Sequence, residues 1–220
     1  MQSLKNKLKL DDSYRGSDII LALDPGTKRT GWCFLVDGEP KHWCTEKGGN
    51  VENKEIYPII KAFDCPVIIE NVSSYGASVG QTTFDTVNWI GRFTRETENL
   101  GLPWDYVTRQ EVKLVLLQTP RATDVQVRQK LIDLFGGLDK AIGGKKCRFC
   151  KGKKWTGRSH DPCEDCNVTG YETAPGPLKG ITGHTWSALA VGFVGWLSSA
   201  FVLSAAQKER LERVRKINAV

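Results

Sequence analysis

The sequence lacks an apolar leader. Its first 17 residues, MQSLKNKLKLDDSYRGS, carry lysines but none of the hydrophobic core that an export signal needs. The expectation is a cytoplasmic chain whose thiols stay reduced. Seven cysteines, an odd number, exclude complete internal disulfide pairing, and closely spaced cysteine pairs then read as metal ligands. There are no internal repeats. Hydrophobic residues at 40% and charged residues at 25% exclude a wholly disordered chain. The 220 residues suit one domain with an insertion, or two small domains. One uncharged run, residues 185–206, is long enough to span a bilayer. Ser187, Ser198, Ser199 and Ser204, with several Ala and Gly, weaken its insertion, so it reads as a buried core helix and no membrane partner is expected.

Acidic residues are missing from residues 145–158, which hold seven basic ones: Lys145, Lys146, Arg148, Lys151, Lys153, Lys154 and Arg158. The formal charge is +6, from 31 Lys and Arg against 25 Asp and Glu. Without this stretch 24 basic residues face 25 acidic ones, so the whole positive excess has one address. Four cysteines lie in or just after it. Cys147, Cys150, Cys163 and Cys166 form a C-x2-C-x12-C-x2-C array. Two close thiolate pairs on separate turns can close a tetrahedron around structural Zn²⁺. The intervening loop is Gly, Lys and Trp with no apolar core, so zinc binding and local folding would be coupled. His160 could substitute as a ligand. The lysines suit phosphate contacts to DNA or RNA, with Trp155 able to stack on a base; a solvated loop on a plain zinc staple is the alternative. Cys33, Cys44 and Cys65 read as buried apolar residues.

Along the chain, residues 18–23 (DIILAL) form an apolar strand ending at the turn Asp24-Pro25-Gly26. Residues 30–36 and 41–45 read as a hairpin about Asp37-Gly38. Residues 56–63 read as a helix, and 66–70 (PVIIE) as a second buried strand closing on Glu70. Residues 79–99 form an amphipathic helix stopped by Gly101 and Pro103. A strand over 104–108 precedes helices over 109–117 and 123–135, the latter capped by Thr123. After a Pro/Gly hinge at 174–180, the last helix runs from His184 to beyond Ala206. The order predicts a mixed-sheet α/β domain with one inserted module: a flexible basic arm over 1–17, a core over 18–144, the cysteine module over 145–172, and the core's final helix and charged tail over 173–220. Asp24 and Glu70 each end a buried strand. Such a carboxylate is costly without a partner, and divalent cations are the usual one. Alone, DPGTKRTG also reads as a phosphate-cradling loop or a plain turn.

Four segments in order resemble one family. LALDPGTKRTGWCF (21–34) is similar to the first motif of RuvC-type Holliday-junction resolvases, and VIIENVSSYG (67–76) to their second. QEVKLVLLQTPRATDVQVRQKLID (110–133) resembles their two-helix stretch, and HTWSALAVGF (184–193) their final helix. The resemblance covers 18–206 apart from the cysteine module, which bacterial members lack, and is greatest to bacteriophage-encoded relatives. It implies an RNase H-like mixed sheet flanked by helices. It also implies two Mg²⁺ or Mn²⁺ ions held by acidic residues, with water attacking a phosphodiester of four-way or other branched DNA in line. On this resemblance Asp24 bridges the ions, Glu70 binds one, and Lys113 neutralises the scissile phosphate.

Departures from the family pattern matter as much. The second family lysine falls on Asp124, for which Arg121 or Arg128 could compensate. The acid expected before Ala-Leu-Ala is Ser187, at best a weak ligand or water contact. His184, one helical turn earlier, stands where the family uses Asp or His, and could ligate or carry a proton; imidazole tolerates Mn²⁺ better than Mg²⁺. Tyr75 falls where an aromatic side chain stacks on an unpaired base. The 79–99 helix corresponds to the family's dimer interface, which makes Phe84, Trp89 and Phe93 candidates for a homodimer contact. Two symmetric cuts need two sites. Two other readings compete: a non-catalytic branched-DNA binder, since an acid is missing, and a YqgF-like RNase, which shares the DPGT opening. A sugar-kinase-like ATPase opens on a similar strand, but a second phosphate loop is absent.

Overall fold

The apolar run IILALDP builds the central strand β1 (Ile19–Pro25). The computed structural model, which describes residues 17–73, 79–156, 161–166 and 169–199, sets it inside a mixed sheet. β2 (Arg29–Val36) pairs antiparallel with β1, and β3 (Glu39–Trp43) antiparallel with β2. Their turn places Asp37 at φ 50 and Gly38 at φ 79, the left-handed pair that a tight hairpin needs. The third strand starts two residues before the expected position, and the register shifts between Phe34 and Leu35. A two-residue strand, β4 (Val51–Glu52), joins β2. β5 (Val67–Asn71) runs parallel to β1, and β6 (Trp104–Thr108) parallel to β5, giving the order β3-β2-β1-β5-β6. The expected mixed sheet flanked by helices is observed.

Alternation along the strands gives each face its own helices. Leu21, Leu23, Trp32, Phe34, Val67 and Ile69 cluster with α1 (Ile56–Phe63) and with Ile90 and Phe93 of α2 (Gln81–Asn99). Phe34 stacks on Phe63 with centroids 4.4 Å apart. Phe93 is fully buried against Tyr57 and Trp89 of its own chain, which removes it from the expected two-fold contact. Trp89 is partly packed on the same cluster, whereas Phe84 and Val87 are exposed. α3 (Arg109–Leu117) and α4 (Asp124–Leu134) each open on a reciprocal cap, Thr108 with Glu111 and Thr123 with Gln126.

A four-residue helix, α5 (Leu138–Ala141), precedes the cysteine segment, and α6 (Thr185–Ser199) covers the second face of the sheet. Gly192 of α6 meets Ala22 and Leu35, and Gly195 meets Ile68, so closely that a Cβ at either would approach within 2.6 to 2.8 Å. Within α6 the uncharged run is thus a small-residue seam against the sheet. No described helix is long and apolar enough to cross a membrane. The expected extension past residue 206 lies outside the described residues, as do the arm over 1–16, Tyr75, Arg158 and His160. Cys33, Cys44 and Cys65 are buried, and burial pushes the Cys65 thiol up to about 12.

The chain divides into two compact units, residues up to 127 together with those from 181, and residues 128–180. In the second unit the incoming and outgoing segments run side by side. Gly143 bridges Pro175, Lys146 bridges Tyr171, and the Leu178 N–H donates to the Ala141 carbonyl at 2.8 Å. Ala141 and Leu178 are fully buried. A short hairpin of β7 (Trp155–Thr156) and β8 (Asp161–Pro162) lies between the cysteine pairs.

Candidate functional site

Asp24 closes the apolar part of β1 and Glu70 that of β5. The parallel register pairs Leu23 with Ile69, so the two carboxylates leave neighbouring strands at the same end of the sheet. Alternation with Ala22 and Ile68 turns both toward the α6 face. Their side chains are only 10% and 12% exposed. Glu70 Oε2 is buried and, among the described residues, meets no hydrogen-bond donor. Burial first, and then the charge of Asp24, hold the Glu70 pKa well above the usual carboxylate range, against the opposing pull of Arg109. Two buried carboxylates with an unsatisfied oxygen are a donor set that fits a hard divalent cation.

The surrounding loops are fixed by buried polar groups. Asn53 donates through Nδ2 to the Gly26 carbonyl at 3.0 Å and accepts from the Thr30 hydroxyl at 2.8 Å, which clamps the turn after β1. The fully buried Thr185 hydroxyl lies between the carbonyls of Cys44 and Gly49, at 3.2 and 3.1 Å, and pins the start of α6. His184 Nδ1 thereby sits 3.0 Å from Asp24 Oδ2. The hydrogen bond to Asp24 raises the His184 pKa, with burial opposing it, so a cation held by His184 would have to displace that proton.

Gly31, opposite Asp24 in the β1–β2 register, makes this approach possible, since a Cβ there would lie 2.8 Å from the His184 backbone. Gly31→Ala is therefore expected to push the start of α6 away from β1, separating His184 from Asp24. Overpacking of this kind costs roughly 1–3 kcal/mol. Denaturant melts would show that loss, and Mn²⁺ affinity would fall with it. Gly91→Ala in α2, where a Cβ meets nothing within 4 Å, serves as the control and should stabilise by roughly 0.5–1 kcal/mol.

Sequence reading did not find Arg109, which the structure places within the site. Its Nε lies 3.2 Å from Glu70 Oε1 and 3.8 Å from Asp124 Oδ1, and its Nη1 donates to Ser187 Oγ at 3.0 Å. Its only local signal is its place directly after the β6 strand, beside Glu70. Lys113, one helical turn on, lines a small depression of about 170 Å³ with Arg109, Gln110 and Pro120. Ser187, in the position expected to carry an acid, thus serves as an acceptor for arginine. Asp124 and Arg121 are exposed, and so is Arg128.

The cysteine quartet is built independently. Among the described residues, it is the group of three or more possible metal ligands whose atoms all lie within 4.8 Å of one another. Cys147 and Cys163 sulfurs are 3.9 Å apart, and Cys150 and Cys166 sulfurs 3.7 Å. Tetrahedral zinc with bonds of about 2.3 Å has sulfur–sulfur edges of about 3.8 Å. The quartet can therefore hold zinc. Burial pushes the Cys163 thiol up to about 12. At Cys150 burial also raises the pKa, but the N–H groups of Lys154 and Gly152 outweigh it and bring the thiol to about 7. Lys145, Lys146, Arg148, Lys151, Lys153 and Lys154 are exposed around it. Glu172 holds two of them, with Lys145 Nζ at 2.8 Å and Arg148 Nε at 3.2 Å.

No protein-family model matches the sequence, and no curated protein does. Among solved structures, the chain is similar to Thermus thermophilus RuvC in complex with a Holliday junction substrate, at 12% identity and a TM-score of 0.49, over 83% of this chain and 95% of that one. It is similar to Thermus thermophilus RuvC alone at 13% identity and 0.49, over 83% and 96%. It is also similar to Ydc2, the yeast mitochondrial Holliday junction resolvase, at 12% identity and 0.43, over 86% and 83%. At these identities the likeness is one of fold.

Proposed function

We propose that this chain is a divalent-cation-dependent endonuclease that cuts four-way junctions or other branched DNA in the cytoplasm, as bacteriophage-encoded resolvases would. The observation that carries the reading is the buried pair Asp24 and Glu70 at one sheet end, with His184 on Asp24 and the cations Arg109 and Lys113 alongside. Asp24 and Glu70, with His184, would hold Mg²⁺ or Mn²⁺. Such an ion supplies a polarised water and stabilises charge on a phosphodiester. Lys113 would neutralise charge on the scissile phosphate, and Arg109 orients Glu70. The quartet Cys147, Cys150, Cys163 and Cys166 would hold structural Zn²⁺ and present the surrounding lysines to the DNA backbone. A homodimer, with the exposed Phe84 and Val87 of α2 as candidate contacts, would set two sites on one junction.

A second reading is favoured by Ser187. With a hydroxyl instead of an acid there, bound to Arg109, the chain could grip branched DNA without cutting it. The deciding experiment incubates the full chain with a labelled four-way junction, linear duplex and single-stranded RNA, each with Mg²⁺ and with Mn²⁺. Paired symmetric nicks in the junction are expected. Junction binding without cleavage in either metal would leave the binding-only reading, and cleavage confined to RNA would overturn both.

A further inference from the structure

We infer that the Arg109 guanidinium takes the place of a second divalent cation, so that the candidate site holds one ion rather than two. The inference rests on the cation-dependent reading above. Arg109 is the first residue of α3, where a positive charge opposes the positive end of the helix dipole. Helix stability does not account for it there, because Thr108 and Glu111 already cap that end reciprocally. Its partners do account for it. The side chain is 33% exposed and spans from Glu70 on β5 to Ser187 on α6, through Nε at 3.2 Å and Nη1 at 3.0 Å.

A cation bridging these two elements would need an anionic or strongly donating ligand from each. Ser187 offers a neutral hydroxyl, which is a poor ligand for a hard ion and a good acceptor for an N–H. The guanidinium is permanently charged and carries its donors in a rigid fork, so it can join two acceptors as a bound ion would. Charge balance points the same way. Asp24 and Glu70 bring two negative charges on side chains that are themselves only 10% and 12% exposed. With His184 neutral, as a ligand must be, one divalent ion together with Arg109 leaves a single net positive charge, which one phosphodiester matches. A second ion would leave three. Asp124 hardly changes this count, since its side chain is 68% exposed and 3.8 Å away.

The count of bound ions tests the inference. The full chain is titrated with Mn²⁺, the stoichiometry read by calorimetry and the ion's surroundings by electron paramagnetic resonance. One Mn²⁺ per chain is expected, beyond any metal carried from purification, with the spectrum of an isolated ion. Two ions per chain with a spin-coupled spectrum would overturn the inference and leave the nuclease reading standing. No Mn²⁺ uptake together with no junction cleavage would overturn both. The Arg109→Ala, Ser187→Asp double variant is expected to take up a second, coupled Mn²⁺. If it keeps the wild-type melting temperature and still binds one ion, the inference fails; if it does not fold, the wild-type count decides.

Discussion

The Asp24→Asn protein should fold as the wild type does and cut almost nothing. Asparagine matches aspartate in shape, and its carbonyl can still accept from His184 Nδ1, which now lies 3.0 Å from Asp24 Oδ2. The change removes one charge from a side chain that is 10% exposed and stands beside Glu70. Burying an amide costs less than burying a carboxylate. The thermal midpoint is therefore expected to hold or rise. The Glu70 pKa should fall, because the second-largest influence raising it is the Asp24 charge. Mn²⁺ affinity should collapse at the same time, since one of two anionic ligands is gone. Loss of a group that stabilises charge in a closed site costs about a hundredfold to a thousandfold. Removal of a ligand to the cation itself should reach at least the upper end of that range. Single-turnover junction cleavage in Mg²⁺ and Mn²⁺, beside a thermal melt, checks both halves. Cleavage within about tenfold of wild type would remove Asp24 from the site.

The parts of this site that sequence makes legible are those with a local signature. An apolar run ending in a carboxylate marks Asp24 and Glu70, because strand burial and strand-end charge are written within a few neighbouring residues. Likewise, thiol spacing marks the quartet. The interactions that organise the site lie far apart in sequence and leave no such mark. Arg109 reaches Ser187 across 78 positions, and Asn53 reaches Gly26 across 27. Glu172 ties down Lys145 and Arg148 from beyond both cysteine pairs. Neighbouring residues leave no mark on Gly31 or Gly192, and only the packing of α6 on the sheet shows why a side chain is forbidden there. Phe93 departs from its expected role for a related reason. Its spacing on α2 fits an exposed apolar stripe as well as a core face, and the choice belongs to α1 and the sheet beneath it.

Cys147→Ser should release one zinc per chain and unfold the cysteine module while the sheet stays intact. The module's own apolar support is small. Among the described residues of the wider 128–180 unit outside α4, the fully buried aliphatic side chains are Ala141 and Leu178, both outside residues 145–172, and full burial of one leucine contributes about 1.5–3 kcal/mol. Structural zinc binding contributes about 10–16 kcal/mol. The balance makes the metal decisive for residues 145–172. The positive-φ Lys151 and Lys154, beside Cys150, would relax once the thiolates no longer share an ion. Hydrogen exchange is expected to show diminished protection there and unchanged protection in β1, β5 and α6. Exposed lysines held in one arrangement would become a loose chain, so DNA affinity should fall roughly tenfold or more at low salt. The slope of log K against log salt should shallow by about 0.9 for each phosphate that the lysines cease to neutralise. Glu172 sharpens the expectation. It already engages Lys145 and Arg148, which leaves Lys146, Lys151, Lys153 and Lys154 as the larger share of the effect. Purified chain that carries no zinc, or protection that survives chelation, would overturn this account of the module.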